Sequence, residues 1–360
     1  MFDTIHFGLR KRLAGHCASE SIHSMRSVIP PLSPALHLLL HTTQLWLTLL
    51  VAAQVPPELL KRDWPSRVEA IGSLSLLTPV EKAAFEDDPS LHLPIREPEP
   101  QDWLAQQAEK GQTYDQFRLI ISRVKPRPDQ RTLGILPLGE FGPKSPSLEK
   151  LRIYCERFFT LETRILPVRP LEKVPVKTRI NQGTQKRQLL TTDILTWLQG
   201  QRPRDAYAVI AVTMEDLYPD ESWNFVFGQA FLQGGVGVFS FARYDPAFYG
   251  ETSSADQTSL ILARSAKVLS HEMGHMFGLK HCVFFECILN GSNHLGEADS
   301  RPTHLCPVCL RKLQLSVRCD LVKREEGLLR FHEEQGFKQE ADWSRRYLEK
   351  LRRAHSSPLK

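Results

Sequence analysis

The residues best able to do chemistry lie in one stretch, 271–281, which reads HEMGHMFGLKH and contains the pattern HExxHxxGxxH. On a helix, His271 and His275 lie four residues apart on one face, where two imidazoles can bind one Zn²⁺. Glu272 follows beside that face, where a carboxylate can take a proton from water on the metal. The pattern therefore predicts a catalytic zinc site. The alternative interpretation is a helix with three incidental histidines.

The same pattern also predicts a turn after the helix. Gly278 is expected to end the helix, because glycine adopts the left-handed backbone conformation that turns the chain. The turn would bring His281 back as a third nitrogen ligand. Three protein ligands leave one tetrahedral position for water, as in catalytic zinc sites, and the metal lowers the pKa of that water to about 7. The sequence thus predicts a zinc-dependent peptidase.

A second metal site is predicted just after the histidines. Four of the seven cysteines form two pairs: Cys282, Cys287, Cys306 and Cys309. Four thiolates in this arrangement, with a C-x-x-C pair, are typical of a structural Cys₄ zinc site. Two disulfides or scattered free thiols are the alternatives. His294 and His304 lie between the pairs, and with four cysteines present we expect loop roles for both.

These motifs resemble the archaemetzincin family, a branch of the metzincin metallopeptidases. The resemblance covers roughly residues 80–340 and is strongest over 205–320. It rests on HExxHxxGxxHC, on the cysteine spacing, and on further matching stretches. These read DLYP (216–219), SWNFVFGQA (222–230), GVGVFSFARY (235–244), GSNHL (291–295) and EAD (297–299).

The resemblance implies two zinc ions per chain and a peptide or protein substrate. The implied ligands are His271, His275 and His281 for the catalytic zinc and Cys282, Cys287, Cys306 and Cys309 for the structural zinc. It implies Glu272 as general base. It also gives 236–244 the role of the edge strand that binds the peptide substrate by strand addition; an ordinary edge strand is the alternative.

One position departs from the family pattern. Metzincins place a methionine in a turn beneath the catalytic zinc, and the corresponding residue here is Leu289. Leucine and methionine have similar volumes, and such exchanges usually cost less than about 1.5 kcal/mol. We expect the turn to support the histidines still. The departure motivates a second hypothesis, a weakly active or inactive zinc-binding interaction protein, against which the presence of Glu272 argues.

Length and composition are those of an ordinary globular protein. The 360 residues are 41% hydrophobic and 24% charged, enough for a sizeable core in at most two domains. The net charge of +5 is mild, and no nucleic-acid partner is expected. Because four cysteines are assigned to metal and Cys17, Cys155 and Cys319 lack obvious partners, we expect a reducing compartment, the cytoplasm or nucleus.

The segment 35–55, ALHLLLHTTQLWLTLLVAAQV, complicates that expectation. Its most apolar part has the length of a signal-peptide core. His37, His41 and the polar residues that follow interrupt the run of about 18 apolar residues that a membrane helix needs. An amphipathic or buried helix, a signal or anchor, and a non-native extension are the three interpretations. Secretion or membrane anchoring through 35–55 is therefore the alternative location, and the only predicted membrane contact.

Strands alternating with helices predict an α/β (α+β) fold. The resemblance makes this a metzincin-like domain with a mixed twisted sheet, an active-site helix and a Cys₄ zinc loop. Strands are expected over 132–138, 163–168, 206–213 and 236–244. Helices are expected over 148–159, 259–279, 310–315 and 339–354, and a further helix is expected to begin with Asp193 as its N-cap. We divide the chain into an N-terminal extension (1–56), a helical wrap (57–130), the catalytic domain (131–320) and a helical tail (321–360).

Overall fold

The computed structural model describes residues 62–356, apart from 144, 232–234 and 251–256, and the backbone of residues 4–7. These parts belong to one unit, Met1–Arg10 with Arg62–Lys360. The division into wrap, catalytic domain and tail stays a prediction, since the described residues of all three lie within that unit. The segment 35–55 lies outside the described residues. Among the helices described, none is both long enough and apolar enough to cross a membrane.

Two sheets organise the described residues. The strands are β1 (Thr4–Phe7), β2 (Thr132–Leu138), β3 (Thr163–Ile165), β4 (Thr178–Ile180), β5 (Arg187–Leu190), β6 (Ala206–Thr213), β7 (Asp216–Tyr218), β8 (Gly228–Phe231) and β9 (Val236–Ser240). The larger sheet has the order β1-β8-β9-β6-β2-β3, and the smaller β4-β5-β7. Strand β6, buried throughout, runs parallel to both its neighbours, as expected for an apolar strand covered on both faces. The predicted α/β class with a mixed sheet is confirmed.

The strand predicted at the edge of the cleft lies inside the sheet. Strand β9 ends at Ser240 and pairs with β6 on one side and β8 on the other. The edge assignment of 236–244 is therefore wrong, because β8 folds back antiparallel to β9 and takes its outer side. All of β9 is buried, which fits an interior strand. Strand β1 pairs in turn with β8, with Phe7 opposite Gly228.

Helices cover the larger sheet and build the wrap and tail. They are α1 (Arg67–Ile71), α2 (Pro79–Phe85), α3 (Trp103–Gln106), α4 (Tyr114–Arg118), α5 (Ile121–Val124), α6 (Leu148–Phe159), α7 (Thr191–Gln199), α8 (Gln257–Met276), α9 (Leu295–Ser300), α10 (Pro307–Val317), α11 (Leu321–Gln335) and α12 (Lys338–Ser356). Helix α6 has the predicted bounds. Helix α7 begins two residues before Asp193, whose carboxylate accepts the backbone N–H of Lys177 (2.9 Å), so the predicted N-cap is wrong.

Helix α8, which carries the histidine motif, packs on α6, β8 and β9. It buries the predicted side: Ile261, Leu262, Ala266, Val268 and Leu269. Arg264 and Lys267 face away from that side and contact α9. Arg264 pairs with Asp299 (2.6 Å), and the Lys267 ammonium donates to three carbonyls at the end of α9. A cation at unpaired helix-end carbonyls is favourable, so these contacts hold α9 against α8.

The wrap is tied to the rest of the fold by long-range contacts. Arg311 of α10 stacks on Tyr114 (3.8 Å to the ring centroid) and donates to the carbonyls of Ile71 and Ser73. At the other end, the ammonium of Lys350 in α12 bonds the carboxylate of Asp88 (2.8 Å). The wrap therefore occupies a fixed place, from which its side chains can reach the site.

Candidate metal centres and active site

Helix α8 ends in a turn that the motif glycine makes possible. Gly278 has a φ of 81°, in the left-handed region. The N–H of Leu279 bonds the carbonyl of Gly274 (3.2 Å), and the N–H of Gly278 bonds that of His275 (2.8 Å), which is the Schellman pairing. A Cβ at Gly278 would also lie 2.9 Å from Val124 Cγ1. The predicted helix-ending role of Gly278 is confirmed, and the turn returns the chain toward the third histidine.

The three motif histidines meet in the structure. One ring nitrogen from each of His271, His275 and His281 lies within 4.8 Å of the other two. The Nδ1 atoms of His271 and His275 lie 2.8 and 2.6 Å from the carbonyl oxygens of Ile288 and Leu279. Since a carbonyl oxygen can only accept, each Nδ1 donates, and the lone pair of each ring lies on Nε2.

This set of nitrogens fits a zinc ion. The Nε2 atoms of His271 and His275 lie 3.0 Å apart, and two lone pairs at that distance repel unless a cation lies between them. Burial, reinforced by His281, lowers the pKa of His271 to about 3 and that of His275 well below its ordinary value. Neutral imidazole is the form that binds zinc. The Nε2 of His281 is buried without a hydrogen-bond partner among the described residues.

Glu272, the residue after His271 on helix α8, has an unpaired carboxylate. It is fully buried, and within the described part of the chain neither oxygen has a hydrogen-bond partner. Burial raises its pKa well above the ordinary value. Space for the carboxylate comes from Gly228 of β8, where a Cβ would lie 2.6 Å from Glu272 Oε1. A buried acceptor left unpaired by the protein is costly, which is typical of a group that meets a ligand.

A second carboxylate reaches the site from the wrap. Oε1 of Glu109 lies 2.7 Å from Nδ1 of His281 and accepts the indole N–H of Trp103 (2.9 Å). Trp103 also packs edge-on against the His281 ring, with centroids 5.1 Å apart. Burial opposes ionisation of Glu109, but His281 and Trp103 hold its pKa below the ordinary value. Sequence analysis missed Glu109, because no motif marks it.

The four predicted zinc cysteines also come together. Their sulfur atoms lie within 4.8 Å of one another, and all four are free and buried: Cys282, Cys287, Cys306 and Cys309. The sulfurs of Cys282 and Cys306 are 3.5 Å apart. Burial opposes ionisation of Cys282, but hydrogen bonds from the other three thiols hold its pKa well below the ordinary value. A closed set of four sulfurs fits a structural tetrahedral zinc site.

The histidines between the cysteine pairs have other roles. His294 caps helix α9, its Nδ1 accepting the N–H of Glu297 (3.1 Å). His304 stacks on Trp343 with centroids 3.7 Å apart. Asp102, His294 and Glu297 form a third group with ligand-like atoms. Arg301 donates to Glu297 (2.9 Å) and Arg96 lies 3.6 Å from Asp102, so arginines already neutralise both carboxylates.

Comparison with known proteins decides the family. A family model described as Peptidase family M54 matches residues 187–315. Archaemetzincin-2 of Homo sapiens is 40% identical over 275 residues, covering 69% of this chain and 76% of that relative. The chain belongs to the archaemetzincin family. It is accordingly a zinc metallopeptidase, a hydrolase that acts on peptides or proteins.

Other archaemetzincins match less closely. Archaemetzincin-2 of Mus musculus is 38% identical over 275 residues, 69% of this chain and 77% of the relative. Archaemetzincin-1 of Homo sapiens is 32% identical over 255 residues, 63% of this chain and 51% of the relative. The crystal structure of the archaemetzincin from Methanopyrus kandleri is 26% identical and covers 54% of this chain and 99% of its own, with a TM-score of 0.41.

The archaemetzincin motifs account for the two ligand groups but not for their surroundings. The motif residues Glu272 and His281 each contact a residue that the motif does not include. Gly228 lies within the matching stretch SWNFVFGQA. Its closeness to Glu272 is seen only in the folded structure. Glu109 lies outside the matched residues 187–315.

Proposed function

We propose that Glu272 is the general base of this peptidase and that the chain holds two zinc ions. The three histidines would bind the catalytic ion through Nε2, and the four cysteines the structural one. When bound at the histidines, zinc polarises a peptide carbonyl and lowers the pKa of its water. Glu272 then accepts a proton from the attacking water and returns it to the leaving amine nitrogen.

One observation carries this proposal. The Glu272 carboxylate is fully buried and unpaired among the described residues, and it stands one position from His271, between the first two histidines on helix α8. A buried carboxylate usually has a donor, since burial without one costs roughly several kcal/mol. A cation bound at the histidines would favour its ionised form, which is the form a base needs.

We further propose that peptide substrates bind along β8. His271, Glu272 and His275 are at most 2% exposed, so a substrate must displace part of the chain to reach them. Strand β1 pairs with the outer side of β8, and its Phe7 lies opposite Gly228, the glycine beside Glu272. An extended peptide that replaced β1 would make the same main-chain hydrogen bonds and bring a carbonyl toward Glu272.

Cleavage of a peptide library tests the proposal. The zinc-loaded full chain should cut a subset of peptides, and the Glu272→Ala variant should cut none at a comparable rate. Chelator treatment should abolish cleavage and added zinc should restore it. Equal cleavage by the parent and by Glu272→Ala, at equal zinc content, would overturn the assignment of the base.

A further inference from the structure

The most informative contact outside the motif joins the wrap to the third histidine. We infer that Glu109 is a positioning residue for the catalytic metal: its carboxylate fixes His281 with Nε2 toward the ion and supplies negative charge to the buried site. This inference rests on the proposed function, since it presupposes a metal ion at the three histidines.

The first argument is orientation. His271 and His275 stand on helix α8, whose backbone limits where their rings can point, and each has a carbonyl partner at Nδ1. His281 lies beyond the Schellman turn, outside a helix. The Glu109 oxygen 2.7 Å from its Nδ1 fixes the ring and the tautomer. Partners of this kind typically change metal affinity about 10- to 100-fold when removed.

The second argument is that Glu109 is itself held in place. Its Oε1 accepts the Trp103 indole N–H, and its backbone carbonyl accepts the indole N–H of Trp64 (2.7 Å). The backbone N–H of Trp103 donates to Glu297, 3.1 Å from each carboxylate oxygen. A Cβ at Gly291 would lie 2.5 Å from the Trp103 ring, so that glycine lets the indole approach. These contacts make the Glu109 carboxylate a fixed acceptor.

The third argument is charge. Three neutral imidazoles leave the two positive charges of a buried zinc ion uncompensated, and a buried charge without a partner is costly. The Glu109 carboxylate, 2.7 Å from Nδ1 of His281, would supply a compensating negative charge behind the third ligand. The side chain of Glu109 is 23% exposed, so it is mostly shielded from solvent. A backbone carbonyl at His281 would supply no such charge.

Metal binding to the full chain tests this inference. The catalytic ion is followed by competition with a chelator and by the visible absorption of Co²⁺, with His275→Ala as the blank for the cysteine site. Glu109→Ala should weaken catalytic binding about 10- to 100-fold and alter the Co²⁺ spectrum. Glu109→Gln keeps an acceptor oxygen but loses the charge, so its affinity should fall between those of the parent and Glu109→Ala.

A matched control separates positioning from folding. Glu97 lies in the same wrap, is 92% exposed and pairs only with Arg62 in the contacts described, so Glu97→Ala should leave both metals and the melting temperature unchanged. Parent-like metal affinity in both Glu109 variants, or loss of the cysteine-bound ion together with the catalytic ion, would overturn the inference. A parent protein that binds no metal at the histidines would instead contradict the proposed function.

Discussion

Leu289 packs against the bare Cα of Gly274, in the helical turn between the first two histidines. A Cβ at Gly274 would lie 2.8 Å from Leu289 Cδ2, and Leu289 is fully buried. The carbonyl of Leu289 also accepts the N–H of Cys282 (2.8 Å). One residue thus contacts both the helix that carries the histidines and the chain that begins the cysteine cluster.

Truncating Leu289 should loosen the site. Leu289→Ala would open a cavity beneath α8 and cost about 2–5 kcal/mol of unfolding free energy. Leu289→Met, of similar volume, should cost less than about 1.5 kcal/mol and leave zinc affinity nearly unchanged. Thermal melting and chelator challenge of both variants check this. A Leu289→Ala protein as stable and as tightly metallated as the parent would show that Leu289 does not support the histidines.

Adding a methyl group at Gly274 should lower stability, and truncating Leu289 should offset part of that loss. Gly274→Ala would press a methyl group on Leu289 and cost about 1–3 kcal/mol by overpacking. In a Leu289→Ala background the same methyl group would enter the cavity, so the two costs should not add. A double-mutant cycle of unfolding free energies measures the coupling. Strict additivity would contradict the contact between Gly274 and Leu289.

Removing one cysteine should affect both metals. The parent is expected to hold two zinc ions per chain, and Cys309→Ser should lose the structural one. Because Cys282 follows His281 directly, disordering the cluster should also weaken catalytic binding and lower the melting temperature. His275→Ala, in contrast, should empty only the histidine site. Metal analysis of the parent and the two variants measures the zinc content of each. Loss of both zinc ions in both variants would show that the cysteine site does not depend less on the histidine site than the reverse.

Weakening strand β1 should help substrates to bind. Ile5→Pro removes a backbone donor from the strand that pairs with β8, and proline disfavours strand pairing. If peptides take the place of β1, KM should fall while kcat stays unchanged. Steady-state kinetics on a cleaved peptide measure both constants. An unchanged KM would show that β1 does not compete with substrate.

The predictable parts of this molecule are those with local signals. Helical periodicity and spacing placed His271 and His275 on one face, and the conformational freedom of Gly278 placed the end of α8. The four cysteines were predictable because their two pairs, C-x₄-C and C-x-x-C, are local patterns too. Helix α6 and strand β6 followed from their apolar patterns, with bounds equal to those predicted.

The rest depends on contacts between distant segments. Glu109 meets His281 across 172 positions of sequence, and no spacing rule spans that distance. Strand β8 is four residues long and lacks an alternating pattern, so its pairing outside β9 could not be foreseen. The edge role was therefore assigned to β9, whose complete burial is explained by its interior position.

The most direct measurement compares turnover and zinc content in one preparation of Glu272→Gln. The amide has nearly the same shape as the carboxylate and cannot accept the proton, and Glu272 is not among the proposed ligands. The catalytic zinc should therefore remain bound, while kcat on a cleaved peptide falls by about 10²- to 10⁴-fold. A kcat within a few-fold of the parent, or loss of the catalytic zinc, would contradict the role of Glu272 as general base.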